Sequence, residues 1–137
     1  LETIMPVKVI RYGLLPDSEG PGLHRGGFGI QRVLEFQTDG VDCFIASDRV
    51  NTPPWGLSGG KSARGARFTV ERADGSVEHL PSKARVRFYE KDRLYIETSG
   101  GGGWGNPSER DRAALERDVR DGLVSRQRAE TEYGGLK

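Results

Sequence analysis

The sequence predicts a mainly β protein, an antiparallel sandwich or barrel-like sheet closed by a short C-terminal helical tail. Three observations lead there. Short alternating apolar segments recur with turn signals roughly every 8–12 residues. Glycine accounts for 20 of the 137 residues, so much of the backbone is turn and loop. After the last large glycine cluster the pattern changes to charged, capped, amphipathic helix. These features divide the chain into an antiparallel β domain, 1–105, and a helical tail, 106–137, packed on that domain or on a partner subunit.

The first strand follows Pro6, where Val7 and Val9 alternate with Lys8 and lead to Arg11 and Tyr12. A turn-rich stretch comes next, Pro16 to Gly22, then Arg25-Gly26-Gly27-Phe28-Gly29. A second strand, Ile30 to Gln37, places Leu34 and Phe36 on one face, and Asp39-Gly40 predicts a hairpin into a third, Asp42 to Ala46. Asp74-Gly75 predicts another hairpin between Arg67–Arg72 and Ser76–Leu80. Ala84–Tyr89, with Val86 and Phe88 inward, and Arg93–Glu97, with Leu94 and Ile96 inward, read as a third hairpin through Glu90-Lys91-Asp92. Between them, Val50 to Gly65 has no strand pattern and reads as a long ordered loop.

In the tail, Asn106 is a helix cap, Pro107 fits the first helical position and Glu109 stands three residues after the cap. Ala113, Leu115 and Val119 form a thin apolar stripe that Leu123 continues, with charged residues on the other faces. Ser125 caps a second short helix that ends at Tyr133-Gly134-Gly135.

Composition sets further bounds. A chain of this length buries roughly 65–70% of its unfolded surface. Its 34% apolar content is low, which points to a partner for part of its stability. With 21 basic and 20 acidic residues the net charge is +1, so no bulk field favours nucleic acid or a membrane. One cysteine, Cys43, excludes an internal disulfide and reads as a small buried hydrophobe. No apolar stretch approaches a membrane span and no signal peptide opens the chain, so the expected setting is the cytoplasm. Residue 1 is leucine, which fits numbering from inside a longer gene product.

Five glycines surround one tryptophan in Ser99-Gly100-Gly101-Gly102-Gly103-Trp104-Gly105. Glycine loses the most backbone freedom on folding, so this run needs a reason. A phosphate cradle is one reading, but no Gly-Lys-Ser/Thr ends it and the strand before it is antiparallel. Close backbone packing around the Trp104 indole is the favoured one. Gly59-Gly60-Lys61-Ser62 lacks the spacing of a phosphate loop and reads as a turn with a solvated lysine. His24 and His79 stand apart with no partners at metal spacing, so no metal site is expected. His24 and Arg25 share a loop that presents an imidazole and a guanidinium together. Arg49 and Trp55 belong to residue types that dominate interfaces; Trp55 is either an exposed anchor or a plug at one end of the core. No catalytic residue emerges, and the candidate interface or ligand contacts are His24, Arg25, Arg49, Trp55 and Trp104.

Five segments in order (Pro21 to Gly29, Ser47-Asp48-Arg49, Pro53 to Gly60, Leu80-Pro81-Ser82-Lys83 and Glu97 to Pro107) resemble the C-terminal part of the hydantoinase B/oxoprolinase family. Asp118 to Ser125 and Tyr133-Gly134 fit the same pattern, while Ser99 and Asn106 depart from its usual proline and aspartate. The resemblance implies large subunits several times this length, working with a larger hydantoinase A-like subunit that uses ATP. Either this chain is a piece of a longer polypeptide, or the gene is split and it is a small subunit. The second case is similar to the small beta subunit of the acetophenone carboxylase type, a biotin-independent, ATP-dependent ketone carboxylase. That likeness implies an accessory subunit, partnered by larger hydantoinase A-like and hydantoinase B-like chains that hold ATP and Mg2+, with no cofactor on this chain. A split hydantoinase or oxoprolinase remains open, as does a stand-alone ligand-binding β module.

Overall fold

The computed structural model describes residues 1–136 and contains seven strands and two α-helices. The strands are β1 (Val7–Leu14), β2 (Ile30–Phe36), β3 (Val41–Ala46), β4 (Arg67–Glu71), β5 (Val77–Leu80), β6 (Lys83–Phe88) and β7 (Arg93–Glu97). A five-stranded sheet runs in the order β1-β2-β7-β4-β5, and β3 pairs with β6 as a separate ribbon. Every pairing between these strands is antiparallel. The ribbon packs on one face of the sheet, giving an open sandwich rather than a closed barrel. Alternation decides which side chains meet: Val7, Phe36, Leu94, Val70 and Leu80 from the sheet close on Ile45, Val86 and Phe88 from the ribbon. Phe36 and Phe88 stack across the interface at 4.0 Å. Cys43, half-buried, packs against this core.

Two of the three expected hairpins do not form. Only β4–β5 pairs across its turn. After β2 the chain crosses from sheet to ribbon, and after β6 it crosses back. The cause lies in the corners, which brace each other instead of folding back: the Gly40 amide donates to Phe88 O (2.9 Å), Glu90 N to Asp39 Oδ1 (2.9 Å) and Lys91 N to Phe36 O (2.8 Å). Asp92 locks the second corner. It is buried, and its carboxylate accepts from Arg72 (2.8 Å) and from the Ala73 and Tyr89 amides (3.0 Å each).

The tail also starts differently from the sequence reading. Asn106 caps only a 3₁₀ turn, Pro107–Glu109, and an extended Arg110 interrupts it. Asp111 then caps α1 (Arg112–Arg120) by accepting from Ala114 N at 2.9 Å. The buried face of α1 is Leu115 and Asp118; Ala113 is exposed. Gly122 (φ +71°) ends the helix in the left-handed region, so Val124, not Leu123, enters the core. Helix α2 (Arg126–Tyr133) follows as expected, capped by Ser125 and closed by Gly134 (φ +80°).

Leu115, Val124, Ala129 and Tyr133 form a second small core with Phe28 and Leu136. Charge then fastens the tail to the 15–29 loop. Fully buried Glu19 accepts from Arg128 Nε and Tyr133 Oη, both at 2.9 Å. Asp118 receives Arg25 through two bonds (2.9 and 3.0 Å) and Arg110 at 2.8 Å. Burial alone raises the Asp118 carboxyl's pKa, but hydrogen bonds and charge from Arg25 and Arg110 outweigh it, and the group titrates below ordinary aspartate. Asp92 behaves alike, with burial opposed by Arg72 and the Tyr89 and Ala73 amides.

A depressed folded-state pKa means that the unfolded chain binds more protons in acid. The stability that these two carboxylates contribute is therefore complete above about pH 5 and falls as pH drops through the ordinary aspartate range, near 3.9, toward the lower folded values. Urea midpoints measured from pH 6 to pH 3 should show this decline, and Asp118→Asn should flatten its slope. Asp118→Ala, which leaves two guanidiniums without their carboxylate, should cost about 3 kcal/mol at neutral pH.

Candidate functional site

Beyond the ends of β2, β7 and β4, three segments (18–29, 55–65 and 98–106) come together almost entirely through backbone. On one side of the middle segment, Gly20 N donates to Gly101 O (2.8 Å) and Gly101 N to Gly27 O (2.9 Å). On the other, Gly103 N donates to Lys61 O (3.0 Å), Leu57 N to Gly103 O (2.9 Å) and Gly105 N to Leu57 O (3.0 Å). The two outer segments also bond directly, from Lys61 N to Pro21 O (2.7 Å) and from Arg64 N to Ser18 O (3.1 Å). Each segment is thus tied to both others. The approach leaves no room for side chains: a Cβ on Gly26 would overlap the Gly101 carbonyl, and one on Gly103 the Pro21 carbonyl.

This geometry decides between the two readings of the glycine run. Its amides at Gly100, Gly101, Gly103 and Gly105 already donate to carbonyls, and the Lys61 ammonium pairs with Glu132 at 2.7 Å. With those donors spent, the run does not fit a nucleotide phosphate. Close packing is the observed role, with one correction. The glycines pack on other backbone and not around Trp104, whose indole lies outside and 48% exposed.

Two of the five candidate residues, His24 and Trp104, touch on the surface of this bundle, and Trp55 and Arg49 form a second pair on the segment that leads to Leu57. Trp104 and His24 exchange backbone hydrogen bonds (2.9 Å each way) and their rings stack at 5.6 Å. Leu57 bridges to Trp104 in parallel and is 59% exposed. Paired residues of a bridge project to the same side, so His24, Trp104 and Leu57 share one face. Trp55, two residues before Leu57 and with its carbonyl against Gly102, extends the group at 68% exposure. That exposure rules out a core plug. The Arg49 guanidinium lies 5.9 Å from the Trp55 ring, and one of its nitrogens donates to Thr52 O at 3.4 Å.

Arg25 belongs elsewhere. Its guanidinium forks onto Asp118 and covers the Phe28 ring at 4.3 Å, so it is a clamp for the tail and not a partner of His24. The sequence reading passes over Leu57 and Glu19, and it places Asp118 among the charged residues on the outer faces of its helix, whereas Asp118 is buried. Leu57 lies in the Pro53 to Gly60 segment, which has no strand pattern, whereas Asp118 falls three residues after Leu115, a spacing that places it on the buried face.

The chain belongs to the hydantoinase B/oxoprolinase family, whose model matches residues 1–107. It is 37% identical over 134 residues to an uncharacterized protein of Methanocaldococcus jannaschii, matching 97% of this chain and 23% of that one. It is 33% identical to the caprolactamase subunit beta of Pseudomonas jessenii, over 98% of this chain and 24% of the relative. The crystal structure of that ATP-dependent caprolactamase superposes with a TM-score of 0.80, covering 98% of this chain and 24% of the other, at 28% identity. Nucleotide-free acetone carboxylase superposes with a TM-score of 0.82 over 94% of this chain and 21% of that one, and at 21% identity this likeness shows the fold alone. The chain spans about a quarter of the length of these relatives. Among the described residues no helix is long and apolar enough to cross a membrane.

The bundle predicts a contrast between neighbours. Gly26→Ala should lower unfolding free energy by about 3 kcal/mol or prevent folding, because backbone must move to admit the methyl. Gly27→Ala meets open space and should stay within about 0.5 kcal/mol of the parent, both read by urea titration. The two exposed indoles predict a second outcome: native tryptophan emission should resemble that of the unfolded chain and be quenched freely by acrylamide. A strong red shift on unfolding would contradict the surface described.

Proposed function

We propose that this chain is a non-catalytic portion of a hydantoinase-B-type subunit, acting in an ATP-dependent complex that opens cyclic amides. The likeness to caprolactamase subunit beta, which runs through nearly the whole of this chain, carries the reading. The state of its ionisable groups supports the accessory role. Glu19, Asp92, Glu97 and Asp118 are each engaged by arginine, so these buried carboxylates serve the fold. On this reading ATP and Mg2+ belong to a larger hydantoinase A-like partner, and the reacting centre to the larger hydantoinase B-like portion. The setting is the cytoplasm, where ATP is supplied and the lone thiol of Cys43 stays reduced.

A second reading is a ketone carboxylase of the acetophenone carboxylase type, with this chain as its small beta subunit. The fold shared with acetone carboxylase supports it, at an identity that carries no reaction. An assay of the assembled complex separates the two. With ATP and Mg2+, a lactam or hydantoin should drive ATP hydrolysis and ring opening. Carboxylation of a ketone with bicarbonate, and no lactam turnover, would select the second reading. Turnover by the isolated chain would overturn both.

A further inference from the structure

We propose that the face formed by His24, Trp104, Leu57, Trp55 and Arg49 is the seat on which the remaining three quarters of a hydantoinase-B-type polypeptide docks, joined to this chain or separate from it, through an apolar segment carrying a carboxylate opposite Arg49. The proposal rests on the subunit reading above and adds to it the surface and the chemistry of its occupant.

The first ground is the anatomy of the face. Trp55, Leu57 and Trp104 expose 68%, 59% and 48% of their surface, and they sit on a bundle braced by backbone on all three of its segments. Large apolar groups held on a rigid base lose little freedom when covered, which is the condition for an energetic anchor. The aromatic groups stand out from the surface, and the cavities beside α1 and α2 and along β4 are lined by other residues. A flat aromatic face suits a protein surface better than a small ligand.

The second ground is polarity. Arg49 forms no ion pair among the described residues, and its guanidinium makes one long bond to a carbonyl. The indole nitrogens of Trp55 and Trp104 are donors only, and His24 donates through at least one ring nitrogen. The polar side chains of the face thus present donors in excess. A second copy of the same surface would set donors against donors, which argues against a symmetric dimer. An occupant with acceptors, above all a carboxylate at Arg49, complements it.

The third ground is length. Nearly all of this chain matches 23–24% of its relatives, so most of the polypeptide of such a subunit lies outside this structure. That missing portion has the size to cover the face.

The test is co-expression of the chain with the hydantoinase-B-type polypeptide of the same organism that supplies the other three quarters, with assembly followed by sedimentation velocity. The parent should co-sediment, and oxidative footprinting should show Trp55 and Trp104 protected in the complex. Trp55→Ala should weaken assembly about 30-fold or more, as truncation of an interface anchor does. Arg49→Glu should weaken it at least about 10-fold and reduce its dependence on salt. Both side chains are exposed, so unchanged urea midpoints will show that the variants fold. Assembly that survives both substitutions, with the tryptophans still oxidised, would overturn the docking face while leaving the subunit reading intact. No assembly by the parent would overturn the subunit reading and this inference with it. A parent that self-associates, and loses that on Trp55→Ala, would replace the stated occupant by a second copy.

Discussion

Backbone lying directly on backbone is the constraint from which the rest of this molecule follows. Three segments far apart in sequence are bonded into one bundle, and at its tightest points a single methyl would collide with a carbonyl. Each glycine costs roughly 0.5–1 kcal/mol of additional chain entropy relative to alanine. Hydrogen bonds worth about 1 kcal/mol apiece offset part of it, and the close contact of three chains contributes dispersion. The bundle also distributes what surrounds it. It extends the sheet beyond β2 and β7, gives the tail a loop to rest on, and carries Trp55, Leu57 and Trp104 outward.

Arginine–carboxylate clamps supply what the small apolar core lacks. Asp92 fixes the corner between ribbon and sheet, and Glu97 receives Arg64 and Arg67 where β7 enters the bundle. Glu19 and Asp118 hold α1 and α2 against the 15–29 loop. Removing charge from water is costly, so such pairs add little net stability compared with apolar replacements. Their directionality is another matter: a forked guanidinium accepts one arrangement of carboxylate. In a chain with 34% apolar residues, these pairs fix how the tail sits on the loop.

The strands were legible because alternation and Asp-Gly turns are local signals, and β4–β5 formed where they pointed. The two other hairpins failed for a reason outside any local window. Asp39-Gly40 has turn chemistry whether the chain folds back or crosses to another layer, and the choice depended on Phe88 O and Phe36 O, reached from distant residues. The cap at Asn106 was read correctly as a cap but assigned to the wrong helix, since nothing local to Arg110 announces an extended residue drawn toward Asp118 and Leu23 O. His24, Arg49, Trp55 and Trp104 were visible as residue types. Their convergence was not, because it is produced by the bundle and not by spacing. Arg25 illustrates the same limit: adjacent to His24 in sequence, it points to the opposite task.

The division of labour between interior and surface narrows where chemistry is to be sought. A reacting centre needs groups whose protonation or charge is free to change during turnover. Here the most buried carboxylates are committed to guanidiniums, and the amides of the glycine run are committed to carbonyls. Freeing any of them would loosen the corner, the tail or the bundle. The aromatic and cationic side chains on the outer face are among the uncommitted groups, and these suit recognition. On the proposed reading, substrate choice within the assembly is set elsewhere, and this portion acts through rigid shape. Variation in substrate among family members should then leave the glycine bundle unaltered, since it answers to packing and not to the molecule being transformed.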